Sequence, residues 1–136
     1  DLALEEDLAF GDLTAKLLEQ KVRKTAHVIA RQDLVVCGLP LTELVVSRSG
    51  FSIDVKSKST EGSNLKSGAV MQVLKGSAAE LTSLERTILN FLQRLCGVAT
   101  YTRSIVDKSS GIVLLDTRKT MPGFRLLDKL LPFSFM

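Results

Sequence analysis

Tryptophan is absent from this 136-residue chain, and it has one tyrosine, one histidine (His27) and two cysteines (Cys37 and Cys96). Nucleic-acid modules read bases with interleaved aromatic and basic residues. One tyrosine and a net charge of +3, with no long basic run, argue against that class. Two distant cysteines without a C-x-x-C spacing exclude a disulfide framework, and with a single histidine they make a zinc site a poor fit. A reducing, cytoplasmic location is therefore expected. No apolar run approaches the ~18 residues of a membrane span, and no charged-then-apolar leader precedes a small-residue cleavage site. The sequence predicts neither membrane insertion nor secretion.

What is present is a balanced globular composition, 45% hydrophobic and 24% charged. A chain of this length buries roughly two thirds of its unfolded surface, enough for a compact core. The stretch Leu114 to Arg125 is the most concentrated in chemistry. Ile112 to Leu115 is a short apolar run of the kind that forms a parallel strand buried on both faces. It leads into Asp116, Thr117, Arg118, Lys119 and Thr120, and Pro122-Gly123 then turns the chain. In parallel α/β sheets, sites are built at that end of a strand. Arg118 can grip a carboxylate with two parallel N–H bonds, while Lys119 adds a compact charge and Thr117 a hydroxyl. Spacing alone leaves two readings level: an anion site, or solvated charges at a strand end.

Earlier in the chain, Leu4, Leu8, Leu13, Leu17 and Leu18 predict two short helices over residues 1–19, the second capped by Asp12. Residues 21–32 alternate as a strand, with Val22, Ala26, Val28 and Ala30 on one face, and His27 reads as a strand-face residue. Leu34 to Cys37 is a second strand, and Pro40 opens a helix that Gly50 ends. Phe51, Ile53 and Val55 predict a half-buried strand, residues 57–68 a surface turn, and residues 69–74 a further strand.

Two capping-box patterns follow, Ser77-x-x-Glu80 and Thr82-x-x-Glu85, and predict two successive helix starts. Leu84, Ile88, Phe91, Leu92 and Leu95 then form one apolar stripe, with Arg86, Asn90, Gln93 and Arg94 projecting elsewhere. By spacing alone Arg86 is a solvated helix charge. Another helix is expected over residues 99–108.

Three blocks carry a resemblance. Asp116-Thr117-Arg118-Lys119-Thr120 with Pro122-Gly123 and Arg125 resembles a motif of the quinolinate phosphoribosyltransferases, the carboxylating nicotinate-nucleotide pyrophosphorylases. Glu85-Arg86-Thr87-Ile88-Leu89-Asn90 with Gly97-Val98-Ala99-Thr100 is similar to a second. Glu6-Asp7 with Gly11-Asp12 and Thr14 is similar to the family's N-terminal signature.

The resemblance implies a fold: an α+β N-terminal domain with a mostly antiparallel, open-faced sheet, over residues 1–89. The first helix and strand of an incomplete α/β barrel would follow over residues 90–136. It also implies transfer of ribose 5-phosphate from phosphoribosyl pyrophosphate to quinolinate, with loss of pyrophosphate and carbon dioxide, to give nicotinate mononucleotide for NAD biosynthesis. Arg118, Thr117 and Lys119 would bind substrate. Arg86 would reach the active site of a neighbouring subunit in a homodimer. Magnesium would accompany phosphoribosyl pyrophosphate, with no ligand for it in this chain, and no residue is singled out as catalytic. The family's G-G-G-x-x-H-R block has no counterpart after Lys129, so the chain alone is expected to be inactive. The alternatives are a non-catalytic dimerising module or truncated pseudoenzyme, or the related molybdenum-transport-associated family.

Overall fold

The computed structural model describes residues 1–8, 22–109, 115 and 117–130. Alternating side chains build the main sheet. Strand β1 (Arg23–Ile29) turns Ala26 and Val28 inward and leaves Thr25 and His27 exposed, as the period of two requires. It pairs antiparallel with β5 (Val70–Ser77), with Ala26 opposite Leu74 and Val28 opposite Gln72. On the other side of β5 lies β3 (Asp54–Ser57), also antiparallel. The order β1-β5-β3 puts the longest and most buried strand in the middle.

A second, two-stranded ladder joins β2 (Leu34–Val35) to β4 (Asn64–Leu65). This strand lies within residues 57–68, where a surface turn is expected. Two residues are too few to show alternation, and β4 is specified by its partner: the Val36 N–H donates to Ser63 O and the Gly62 N–H to Val36 O.

Between β2 and β3 runs helix α2 (Leu39–Ser49), with Pro40 in its first turn and Gly50 at its end in the left-handed region, φ 74°. Gly38 precedes it with φ 99°, and a Cβ there would come 2.8 Å from Leu95 Cδ1. Gly38 has no side chain to cap the helix. The Glu61 carboxylate does so instead, accepting the Gly38 N–H and, at 3.1 Å, the Leu39 N–H.

Ser77 closes β5 and caps helix α3 (Ala78–Val106) through a reciprocal box with Glu80. The second expected start, at Thr82, does not form. Thr82 sits inside the helix and its hydroxyl donates back to Ala78 O at 2.9 Å. Nor does a new helix begin at Ala99: α3 runs unbroken through Gly97 and across residues 89 and 90. Packing against the sheet outweighs the ~1 kcal/mol that an interior glycine costs. At 29 residues the helix is about 43 Å long.

The apolar stripe of α3 meets the sheet and α2. Leu84, Ile88, Leu92 and Cys96 are buried with Val36, Leu39, Val45, Val46, Ile53, Met71 and Leu74. A smaller cluster of Val35, Cys37, Leu95 and Ala99 lies beside it. Burial pushes the Cys96 thiol above its ordinary pKa, with a smaller opposing effect from its contact with the Cys37 backbone, so it behaves as a core residue. A polar pair, Thr42 and Gln72, is buried among them: Gln72 accepts from Thr42 Oγ1 at 2.7 Å and donates to Leu39 O and Ser57 Oγ. Helix α1 (Leu2–Leu8) lies against α3, with Leu4 and Leu8 on the core. The expected second helix falls largely on residues 9–21, outside the described residues. Residues 112–114 of the expected buried strand do so too. Leu115 is described, and it is in no strand and 86% exposed. Among the described residues no neighbouring strand pairs with it or covers it.

Candidate functional site

Arg86 sits where the sheet-packed face of α3 ends. Thr87 and Ile88 are buried, and Glu85 and Arg86 point outward, as a 3.6-residue period dictates. The Thr87 hydroxyl donates to the Asp7 carboxylate of α1, so two of the motif blocks meet at this turn. Arg86 makes no hydrogen bond or ion pair with another described residue.

Thr117, Arg118 and Lys119 lie together in an exposed irregular segment. The Lys119 N–H donates to Thr117 Oγ1 at 3.2 Å, a local turn that sets the backbone around Arg118. Arg118, like Arg86, has no described partner. The chain then turns at Pro122-Gly123, with Gly123 at φ 82° and the Phe124 N–H donating to Met121 O at 3.0 Å. A short helix α4 (Arg125–Leu130) follows, a continuation that the sequence pattern does not announce. Its first residue reaches back, with Arg125 Nε donating to Thr120 Oγ1 at 3.3 Å.

Helix α4 is anchored on α3. Arg94 Nη2 lies 3.3 and 3.4 Å from the two Asp128 carboxylate oxygens, and its guanidinium carbon is 4.7 Å from the centre of the Phe124 ring. Phe124 also meets Phe91, ring centres 6.0 Å apart, and Leu127 packs on the Val35–Ala99 cluster. Sequence reading leaves Arg94 as one more outward residue. Its position next to Phe91 on the stripe's edge is the only local signal, and its partners lie 30 and 34 residues further on.

A cleft of about 700 Å³ opens where α1, α3 and α4 converge, bordered by Asp7, Thr87, Asn90, Phe91 and Phe124. None of Arg86, Thr117, Arg118 and Lys119 lines it. The structure thus brings Thr117, Arg118 and Lys119 together and sets Arg86 on a separate element. All four are exposed. Among the described residues no group of three or more histidine, cysteine, aspartate or glutamate side chains could hold a metal ion. No helix there is long and apolar enough to cross a membrane.

Residues 12–96 match the family model described as quinolinate phosphoribosyl transferase, N-terminal domain. The decarboxylating quinolinate phosphoribosyltransferase 1 of Nicotiana glauca is 35% identical over 130 residues, which cover 94% of this chain and 37% of that protein. The chloroplastic carboxylating nicotinate-nucleotide pyrophosphorylase of Arabidopsis thaliana is 34% identical, with the same two coverages. Among solved structures, the nicotinate-nucleotide pyrophosphorylase of Francisella tularensis superposes with a TM-score of 0.92 at 37% identity, over 98% of this chain and 49% of that one. The chain thus spans about half or less of the length of the proteins it matches.

Proposed function

The chain belongs to the quinolinate phosphoribosyltransferase family through its N-terminal domain, and from that premise we propose that it works in a carboxylating nicotinate-nucleotide pyrophosphorylase. There it supplies the N-terminal domain and an anion-binding segment. The reaction is transfer of ribose 5-phosphate from phosphoribosyl pyrophosphate to quinolinate, with decarboxylation to nicotinate mononucleotide. One observation carries the reading. Arg23, Arg48, Arg94 and Arg103 are each in an ion pair with an aspartate, whereas Arg86 and Arg118, inside the motifs, are exposed and unpaired among the described residues, as is Arg31 outside them; the third motif arginine, Arg125, bonds Thr120. An unpaired guanidinium at the surface keeps its fork free for a carboxylate.

The chemistry asks for such groups. Quinolinate bears two adjacent carboxylates, so its site needs converging cations. Pyrophosphate gains negative charge as it leaves while the ribose carbon becomes cationic, so the transition state is stabilised by fixed positive charge rather than by a protein nucleophile. In this reading Arg118 grips a quinolinate carboxylate, and Lys119 and Thr117 add a charge and a hydroxyl beside it. Arg86 serves the site of a second protomer, which makes a homodimer part of the mechanism. Magnesium bound to phosphoribosyl pyrophosphate would add charge compensation at the leaving group. The described residues form no site for it. A cytoplasmic location belongs to the same reading and is supported by two buried, free cysteines.

Calorimetric titration with quinolinate tests the proposal. In the assembled enzyme the protein should bind quinolinate, and Arg118→Ala should abolish binding while leaving the thermal transition in place, since Arg118 makes no hydrogen bond or ion pair with another described residue. Equal affinity in the two proteins, or no binding by the unaltered one, would overturn it.

A further inference from the structure

We infer that Arg94 is a positioning residue that holds the Thr117–Thr120 segment in place by clamping α4 to α3. The connection from Arg94 to that segment is continuous. Arg94 engages both ends of the first turn of α4 at once, stacking on Phe124 and pairing with Asp128. Asp128 and Phe124 are themselves joined by the Asp128 N–H to Phe124 O bond of 2.8 Å. Arg125, between them, bonds Thr120. Thr120 borders the Thr117–Lys119 turn. The rotation of α4 on α3 therefore sets where that turn, and Arg118 within it, is presented.

The chemistry of the contact supports orientation over adhesion. Arg94 Nε is buried and has no hydrogen-bond partner, an unfavourable feature that a leucine or methionine packed on Phe124 would avoid. What an apolar residue cannot supply is directionality. A planar guanidinium that lies over a ring and also meets a carboxylate admits one arrangement of the two helices, whereas an apolar contact lets α4 roll. The pair is sheltered enough for this, since the Asp128 side chain is only 13% exposed and that of Arg94 31%. Eight residues separate Arg86 from Arg94, about 12 Å along the helix axis. One rigid element thus carries one expected substrate arginine and orients the segment that carries the other.

The test has two arms, and only the second rests on the proposed function. In the first, ¹⁵N relaxation gives backbone order parameters for residues 117–120 in the unaltered protein, Arg94→Met and Asp128→Glu. The unaltered protein should show values near those of rigid backbone, ~0.85, falling below ~0.6 in Arg94→Met and retained in Asp128→Glu, which keeps the carboxylate. Low values in the unaltered protein, or unchanged values in Arg94→Met, overturn the inference whatever the ligand.

In the second arm, quinolinate affinity is measured for Arg94→Met, Asp128→Asn and the double variant. Each single change should weaken binding about 10-fold, and the double variant should be no worse than either. Additive losses would overturn the clamp, because the two residues would then act separately. Failure of the unaltered protein to bind quinolinate would sink the proposed function and leave the relaxation arm to decide the inference.

Discussion

The Thr87 hydroxyl donates to the carboxylate of Asp7, joining the first helix to the middle of the long one across 80 residues of sequence. Thr87 is only 2% exposed, and the bond is part-buried at the border of the cleft between α1, α3 and α4. A hydrogen bond to a charged acceptor contributes about 1.5–3 kcal/mol. Thr87→Val, which keeps the shape and removes the hydroxyl, should lower the unfolding free energy by about 1–2 kcal/mol in urea melts. In a double-mutant cycle with Asp7→Ala most of that loss should appear as coupling. A coupling energy near zero would show that the two side chains do not depend on each other.

Gln72 is fully buried at the centre of the sheet and bonded to Thr42, Leu39 O and Ser57. Gln72→Met fills similar space but removes the partner of the Thr42 hydroxyl and the donor to Ser57 Oγ and Leu39 O. It should cost about 2–4 kcal/mol, more than Thr42→Val, because it leaves more groups unpaired. The two urea midpoints, compared at constant m-value, decide the order. A more stable Gln72→Met protein would mean that the polar network is dispensable.

Much of this architecture is legible in the chain because its signals are local. The β1 alternation, Pro40 and Gly50 around α2, and the Ser77–Glu80 box each lie within a few residues of what they specify. The α3 stripe is legible too, though its continuity is not. Thr82-x-x-Glu85 satisfies the same pattern as Ser77-x-x-Glu80, and only the sheet packed beneath the helix decides between them. The β4 strand, the Glu61 cap on α2 and the Arg94 anchor were not legible for the same reason: each is defined by a partner more than 20 residues away. At the candidate site, residue types and grouping could be read from Thr117, Arg118 and Lys119. Their attachment to α3 through Phe124 and Asp128 could not.

Glu80 carries a pH dependence. The Ser52 N–H, the Ser77 hydroxyl and the Ser77 N–H all donate to its carboxylate, and together with nearby Arg23 they hold its pKa below the usual glutamate range despite some burial. A folded-state pKa below the unfolded one means that the contribution is fully present above about pH 4.3 and is lost as the pH falls through the folded value. Glu80→Gln should therefore be less stable than the unaltered protein at neutral pH, and the gap should narrow in denaturant titrations carried toward pH 3. A gap of constant size across that range would remove the ionised carboxylate from the explanation.

The shared site predicted from Arg86 and Arg118 has a quantitative signature in the assembled enzyme. Arg86→Ala and Arg118→Ala homodimers should each be inactive, because every site lacks one arginine. When the two variants are mixed and allowed to exchange subunits, half of the dimers are mixed. In each mixed dimer one site receives Arg118 from one protomer and Arg86 from the other, while the second site lacks both. Activity should then rise from baseline to roughly a quarter of the unaltered enzyme's, the fraction of intact sites that random pairing of a twofold dimer gives. If both arginines instead served the site of their own protomer, no mixed dimer would contain an intact site and activity would stay at baseline. The assay thus separates a shared site from a private one without any assumption about how strongly either arginine binds.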